Sequence, residues 1–114
     1  MLLRSIAPAL FGLAIAFATA SPLRAEDTIT YETTLKDKSF TPAEIKVPAN
    51  KPFIIKMTNA NAAPAELEAK ELKIEKVAAG NSSIVVRVKA LAPGKYLFVD
   101  EYQEDAAKGY VIAE

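Results

Sequence analysis

Hydrophobic and polar residues alternate along most of this chain with a period of two. "TITYETTL" places Ile29, Tyr31, Thr33 and Leu35 on one side and polar residues on the other, the pattern of a half-buried strand. "EIKVP" is a shorter strand with Ile45 and Val47 together. In "FIIKMTN", Phe53, Ile55 and Met57 share a face, so Met57 reads as core rather than as a thioether ligand. "IVVRVKAL" points Ile84, Val86 and Val88 inward and Arg87 and Lys89 outward, and "KYLFVD" and "GYVIAE" complete the set. Asn50-Lys51-Pro52, "AAGNSS" and Ala92-Pro93-Gly94 read as turns. Short strands at this spacing predict an all-β fold, an antiparallel β-sandwich.

One stretch departs from the pattern. "PAELEAKELKIEKV", Pro64 to Val77, is built of strong helix formers. Yet Leu67, Leu72, Ile74 and Val77 make no i, i+3/i+4, i+7 stripe, and "LKIEKV" alternates as a strand does. Composition favours a helix and periodicity favours a strand with an irregular entry, and local pattern alone leaves the two open.

The N-terminus has a different character. Arg4 is followed by an uncharged apolar run from Ile6 to Ala18 and then by small residues, the layout of a secretory signal peptide; the run is short for a membrane span. Ala18-Thr19-Ala20 and Leu23-Arg24-Ala25 both fit a cleavage site. The second is preferred, because the strand pattern begins at Thr28, which makes residues 1–25 the leader and 26–114 one exported domain. The protein is expected to be exported.

Arg4 and Arg24 leave with the leader, so the 14 basic and 14 acidic residues of the chain become 12 and 14 in the mature domain. That near-balance gives no reason to expect nucleic acid or an anionic membrane as partner. A domain of this size buries only about 60–65% of its unfolded surface, so a bound ion would add useful stability. With no Cys, no disulfide does so. With no His either, the chain lacks a thiolate nucleophile, a Ser–His pair, an imidazole acid–base group and a Cys/His zinc site. It also lacks the Cys and His donors of a blue-copper centre. Gly80, Gly94 and Gly109 stand alone, so there is no glycine-rich phosphate loop. Carboxylates, amides and tyrosines remain, and the expectation is a binding protein rather than an enzyme.

Five segments in order carry a resemblance: the opening "F-TPAEIKVP", the strand closed by Asn59, the "ELEAKEL" block, the "PGKYLF" corner and the acidic loop "DEYQEDAAKG". Together they resemble the cupredoxin-like domain of the EfeO type over essentially all of the mature chain. Among its members the chain is similar to the FtrB-like cupredoxin component of FtrABCD-type ferrous-iron uptake systems. The resemblance implies a cupredoxin-like Greek-key sandwich of about seven to eight strands, with Pro64–Val77 extended. It also implies a location in the periplasm and partners there, a periplasmic iron-binding protein and an inner-membrane iron permease.

Carried over by position, Glu66 and Glu68 fall where the first metal ligand of such domains lies, and Asp100 falls where a copper thiolate would be. Tyr96, Phe98 and Asp100 would share one face, so Asp100 would point inward. Glu66 and Glu68 would also share a face, their Cα atoms roughly 6–7 Å apart. Beside Asp100 and Glu101 they would form an oxygen cluster suited to one hard ion, iron or copper before manganese. Gln103 stands where relatives commonly carry a His, which removes a nitrogen donor. The competing reading makes the same acids a solvated face, paired with Lys70, Lys73 and Lys76, or a metal-free surface that docks to a transporter or another exported partner. Tyr96 is expected to pack at its corner, and Tyr102 to lie beside the site or mark a docking surface.

Overall fold

The computed structural model describes residues 28–114; the leader reading lies outside them. The described residues contain nine strands. They are β1 (Thr30–Lys36), β2 (Ser39–Thr41), β3 (Glu44–Val47), β4 (Phe53–Asn59), β5 (Ala65–Ala69), β6 (Ile74–Ala78), β7 (Ser82–Val88), β8 (Gly94–Asp100) and β9 (Lys108–Ala113). They form two sheets, ordered β2-β1-β4-β7 and β3-β9-β8-β5-β6. The all-β sandwich is therefore the fold found, with one strand more than expected. The extra strand is β2, only three residues long, in which Ser39–Thr41 folds back on Thr34–Lys36. Two of the pairings, β1 with β4 and β3 with β9, are parallel. Both follow from the chain crossing between sheets before it pairs.

The inner faces are those the alternation predicts. Leu35, Ile45, Val47, Phe53, Ile55, Met57, Ile84, Val86 and Val88 are all buried, so Met57 is core. Phe98 meets Phe40 edge to face at 4.9 Å, a geometry aromatic rings favour. Ile29 departs from its predicted face and is exposed, because the strand starts one residue later. The Tyr96 hydroxyl donates to Ala92 O at 2.7 Å, so Tyr96 does close its corner. Gly109 has a packing reason: a Cβ there would enter the Phe98 ring and meet Ala43 O at 2.7 Å.

Pro64–Val77 is extended, as periodicity and resemblance expect. The stretch is a hairpin, β5 and β6 joined by a short 3-10 turn at Lys70–Leu72. Lys73, with φ 55°, reverses the chain. Leu72 thus lies in the turn rather than in the strand, and Val77, 51% exposed, faces outward.

Candidate functional site

The loop before β5 is shaped by Asn59, which is fully buried. Its Nδ2 donates to Ala63 O at 2.9 Å, Ala79 O at 3.2 Å and Ala78 O at 3.3 Å, and its Oδ1 accepts Asn61 N at 3.1 Å. These bonds set the entry into β5, where the side chains alternate. Ala65, Leu67 and Ala69 are buried against the core, and Glu66 and Glu68 take the opposite, outer face.

Pairing brings other acids to that face. Glu68 lies directly opposite Glu75 of β6, and Glu66 opposite Val77. From the other side, the Glu101–Gln103 turn that follows β8 delivers Glu101. The outcome is a group of three: Glu66, Glu68 and Glu101 each offer a carboxylate oxygen within 4.8 Å of the other two. Glu66 is 8% exposed, Glu68 is half-buried and Glu101 is exposed. Lys70 approaches Glu68 at 3.8 Å from a side chain that is almost wholly in solvent, a pairing worth little. Lys76 does not join the acids; it donates to Val85 O at 3.1 Å.

Crowded carboxylates resist full ionisation. Hydrogen bonds with Glu66 and then Glu68 raise the Glu101 carboxyl from 4.5 to about 7, with desolvation and the two neighbouring charges adding to the effect. Glu75 is raised chiefly by a hydrogen bond with Glu66 and by that residue's charge. Tyr102 is raised by desolvation first and then by the charge of Glu66, which puts the phenol beside the site. Glu75 was missed by sequence reasoning. The available signal was its place in "LKIEKV", where it alternates with the inward Ile74.

Asp100 is not brought into this group. It points inward, as predicted, but β8 pairs Asp100 with Leu67 and Val99 with Glu68. Asp100 therefore lies on the core side while Glu66 and Glu68 lie on the outer side. It is 1% exposed, and its oxygens are already engaged. Oδ1 accepts Glu66 N at 3.0 Å and Tyr102 N at 3.2 Å, and Oδ2 accepts Gln103 Nε2 at 2.8 Å. Gln103, expected only as a lost nitrogen ligand, is a donor to this buried carboxylate.

Next to the acids a groove of about 340 Å³ is lined by Glu68, Lys70, Glu71, Leu97, Val99 and Glu104. Its floor is apolar, with Leu97 39% exposed. Tyr102, 55% exposed, borders a separate shallow groove with Asp37, Asn61, Pro64 and Gln103.

Three comparisons bear on this architecture. The family model for the cupredoxin-like domain matches residues 9–113. An uncharacterised protein of Rickettsia prowazekii (strain Madrid E) is 32% identical over 79 residues, which cover 69% of this chain and 63% of the relative's length. Among solved structures, the metal-binding domain of the Cu(I)-exporting P-type ATPase of Streptococcus pneumoniae D39, solved with Cu(I), matches with a TM-score of 0.68 at 19% identity, covering 80% of this chain and 91% of that one. Auracyanin A, a "blue" copper protein from Chloroflexus aurantiacus, matches at 0.64 and 16% identity, covering 75% and 98%. At these identities the two structures establish the fold alone.

Proposed function

The chain belongs to the cupredoxin-like domain family, and on that footing we propose that it is an exported accessory protein of iron uptake. In this reading it holds one cation, iron or copper before manganese, on Glu66, Glu68 and Glu101. The observation that supports it is the convergence of three carboxylate oxygens within 4.8 Å on one sheet face. Ligands around a small divalent ion stand roughly 3–4 Å apart, so a modest closing of side chains would complete the set. Bound charge would also offset the mutual repulsion of these carboxylates.

A blue-copper centre does not fit these residues. Such a centre needs a thiolate and imidazoles, the chain has no Cys and no His, and Asp100 is occupied by three N–H donors. The oxygen-only set favours holding and passing an ion over rapid electron transfer. Its partners would be a periplasmic iron-binding protein and an inner-membrane permease. The protein would act as a carrier rather than an enzyme.

The apolar floor of Leu97 and Val99, framed by Glu68, Glu71 and Glu104, favours a second reading, in which this face docks to an exported partner without metal. Calorimetric titration of the metal-stripped domain with anaerobic Fe(II), Cu(II) and Mn(II) separates the two. Saturable one-to-one binding that vanishes in Glu66→Gln/Glu68→Gln supports the cation site. Absence of heat and of thermal shift with every ion leaves the docking reading.

A further inference from the structure

One carboxylate, buried on the far side of the sheet, is hydrogen-bonded to the backbone at or beside two of the three outer acids. Asp100 Oδ1 accepts the backbone N–H of Glu66 itself, at 3.0 Å, and that of Tyr102, next to Glu101, at 3.2 Å. A single oxygen atom therefore joins β5 to the turn that carries Glu101. Oδ2 accepts Gln103 Nε2, and the same amide nitrogen lies 3.4 Å from Asp37 O. Asp37 in turn exchanges two hydrogen bonds with Asn61, at 2.7 and 2.9 Å, so the node is anchored to the β1–β2 turn. Asp100 N donates to Ala107 O at 3.1 Å and closes the base of the acidic loop.

We propose that Asp100 is the positioning residue of the carboxylate site: it holds Glu66 and Glu101 in register from behind the sheet and does not touch the cation. The inference rests on the cation reading for its function but not for its geometry. A carboxylate ligand would supply a free oxygen and negative charge, whereas a positioning residue must supply an acceptor to two N–H groups. The amide of Asp100→Asn keeps that acceptor and loses the charge. The hydroxyl of Asp100→Ser retains the ability to cap the Tyr102 N–H alone. Asp100→Ala retains neither.

The test uses the mature domain and these three variants. Fe(II) affinity is measured anaerobically by calorimetry, and protection of the Glu66 and Tyr102 amides by hydrogen exchange. The expected order of affinity is wild type and Asp100→Asn within a few-fold, Asp100→Ser weaker, and Asp100→Ala weaker by about tenfold or more, the usual effect of losing a residue that orients a ligand. Protection of the Tyr102 amide should follow the same order, and that of the Glu66 amide should be lost in both Asp100→Ser and Asp100→Ala. If Asp100→Ala does not fold, Asp100→Ser supplies the low end.

Affinity that collapses equally in all three variants would make Asp100 a charged ligand and overturn the proposal, and so would affinity unchanged in all of them. If the wild type binds no Fe(II), Cu(II) or Mn(II), the cation reading fails by itself. Amide exchange then decides the positioning role: protection kept in Asp100→Asn and lost in Asp100→Ala upholds it, and equal protection throughout overturns it.

Discussion

Asp100 and Glu66 meet through the sheet rather than across its surface. The Asp100 carboxylate accepts the Glu66 backbone N–H at 3.0 Å, while the Glu66 side chain projects from the opposite face to join Glu68 and Glu101. Two acids that look equivalent in sequence thus have separate tasks, one satisfied inside the fold and one left available outside it.

Glu66→Gln/Glu68→Gln is expected to keep the β-fold and lose saturable cation binding. Without cation, its melting temperature should equal or exceed that of the wild type, because two like charges leave a crowded face. Circular dichroism melts with and without Fe(II) check both parts.

The pH dependence follows from Glu101. Its carboxyl titrates at about 7 in the folded chain against 4.5 ordinarily. Between those values the native state binds more protons than the unfolded state, so the Glu101 contribution to stability falls as pH rises through that window. Below it the contribution is fully present. The difference in stability between wild type and Glu101→Gln should therefore shift against the wild type as pH is raised from about 4.5 to 7. Denaturant titrations across that range measure it. A saturating cation should reverse the trend, since it replaces the proton between the same oxygens.

Asn59→Ala removes the bracket on the β4–β5 loop. Its four hydrogen bonds end on backbone groups, of which Ala79 O would keep the Ser82 hydroxyl as donor. The expected loss is about 2–4 kcal/mol in urea unfolding. Cation affinity should drop with it, because the entry to Glu66 loosens.

Gly109→Ala places a methyl group against the Phe98 ring and Ala43 O. Overpacking of this kind costs about 1–3 kcal/mol, visible as a lowered melting temperature. The outer carboxylates are not touched, so cation affinity in the folded fraction should be unchanged.

The sequence by itself determined the faces of the strands and the limits of the chemistry. Period-two alternation requires only neighbouring residues, so it placed Ile45, Val47, Phe53, Ile55, Met57, Ile84, Val86 and Val88 in the core correctly. The absence of Cys and His ruled out thiolate and imidazole chemistry wherever the chain might go. Asp100 was rightly read as inward for the same local reason.

Which residues meet across strands was decided only by tertiary structure. Register between β5 and β8 is a non-local choice, and a shift by one residue exchanges the two faces. The observed pairing of Leu67 with Asp100 puts Glu66 and Glu68 on the side away from Asp100. The reversal at Lys73, φ 55°, likewise sets Glu75 opposite Glu68. Gln103 looked like a missing ligand because its partner lies in a buried position that only the folded turn creates. Alternation along one strand says which way a side chain points, and hydrogen-bonded pairing between strands says what it finds there.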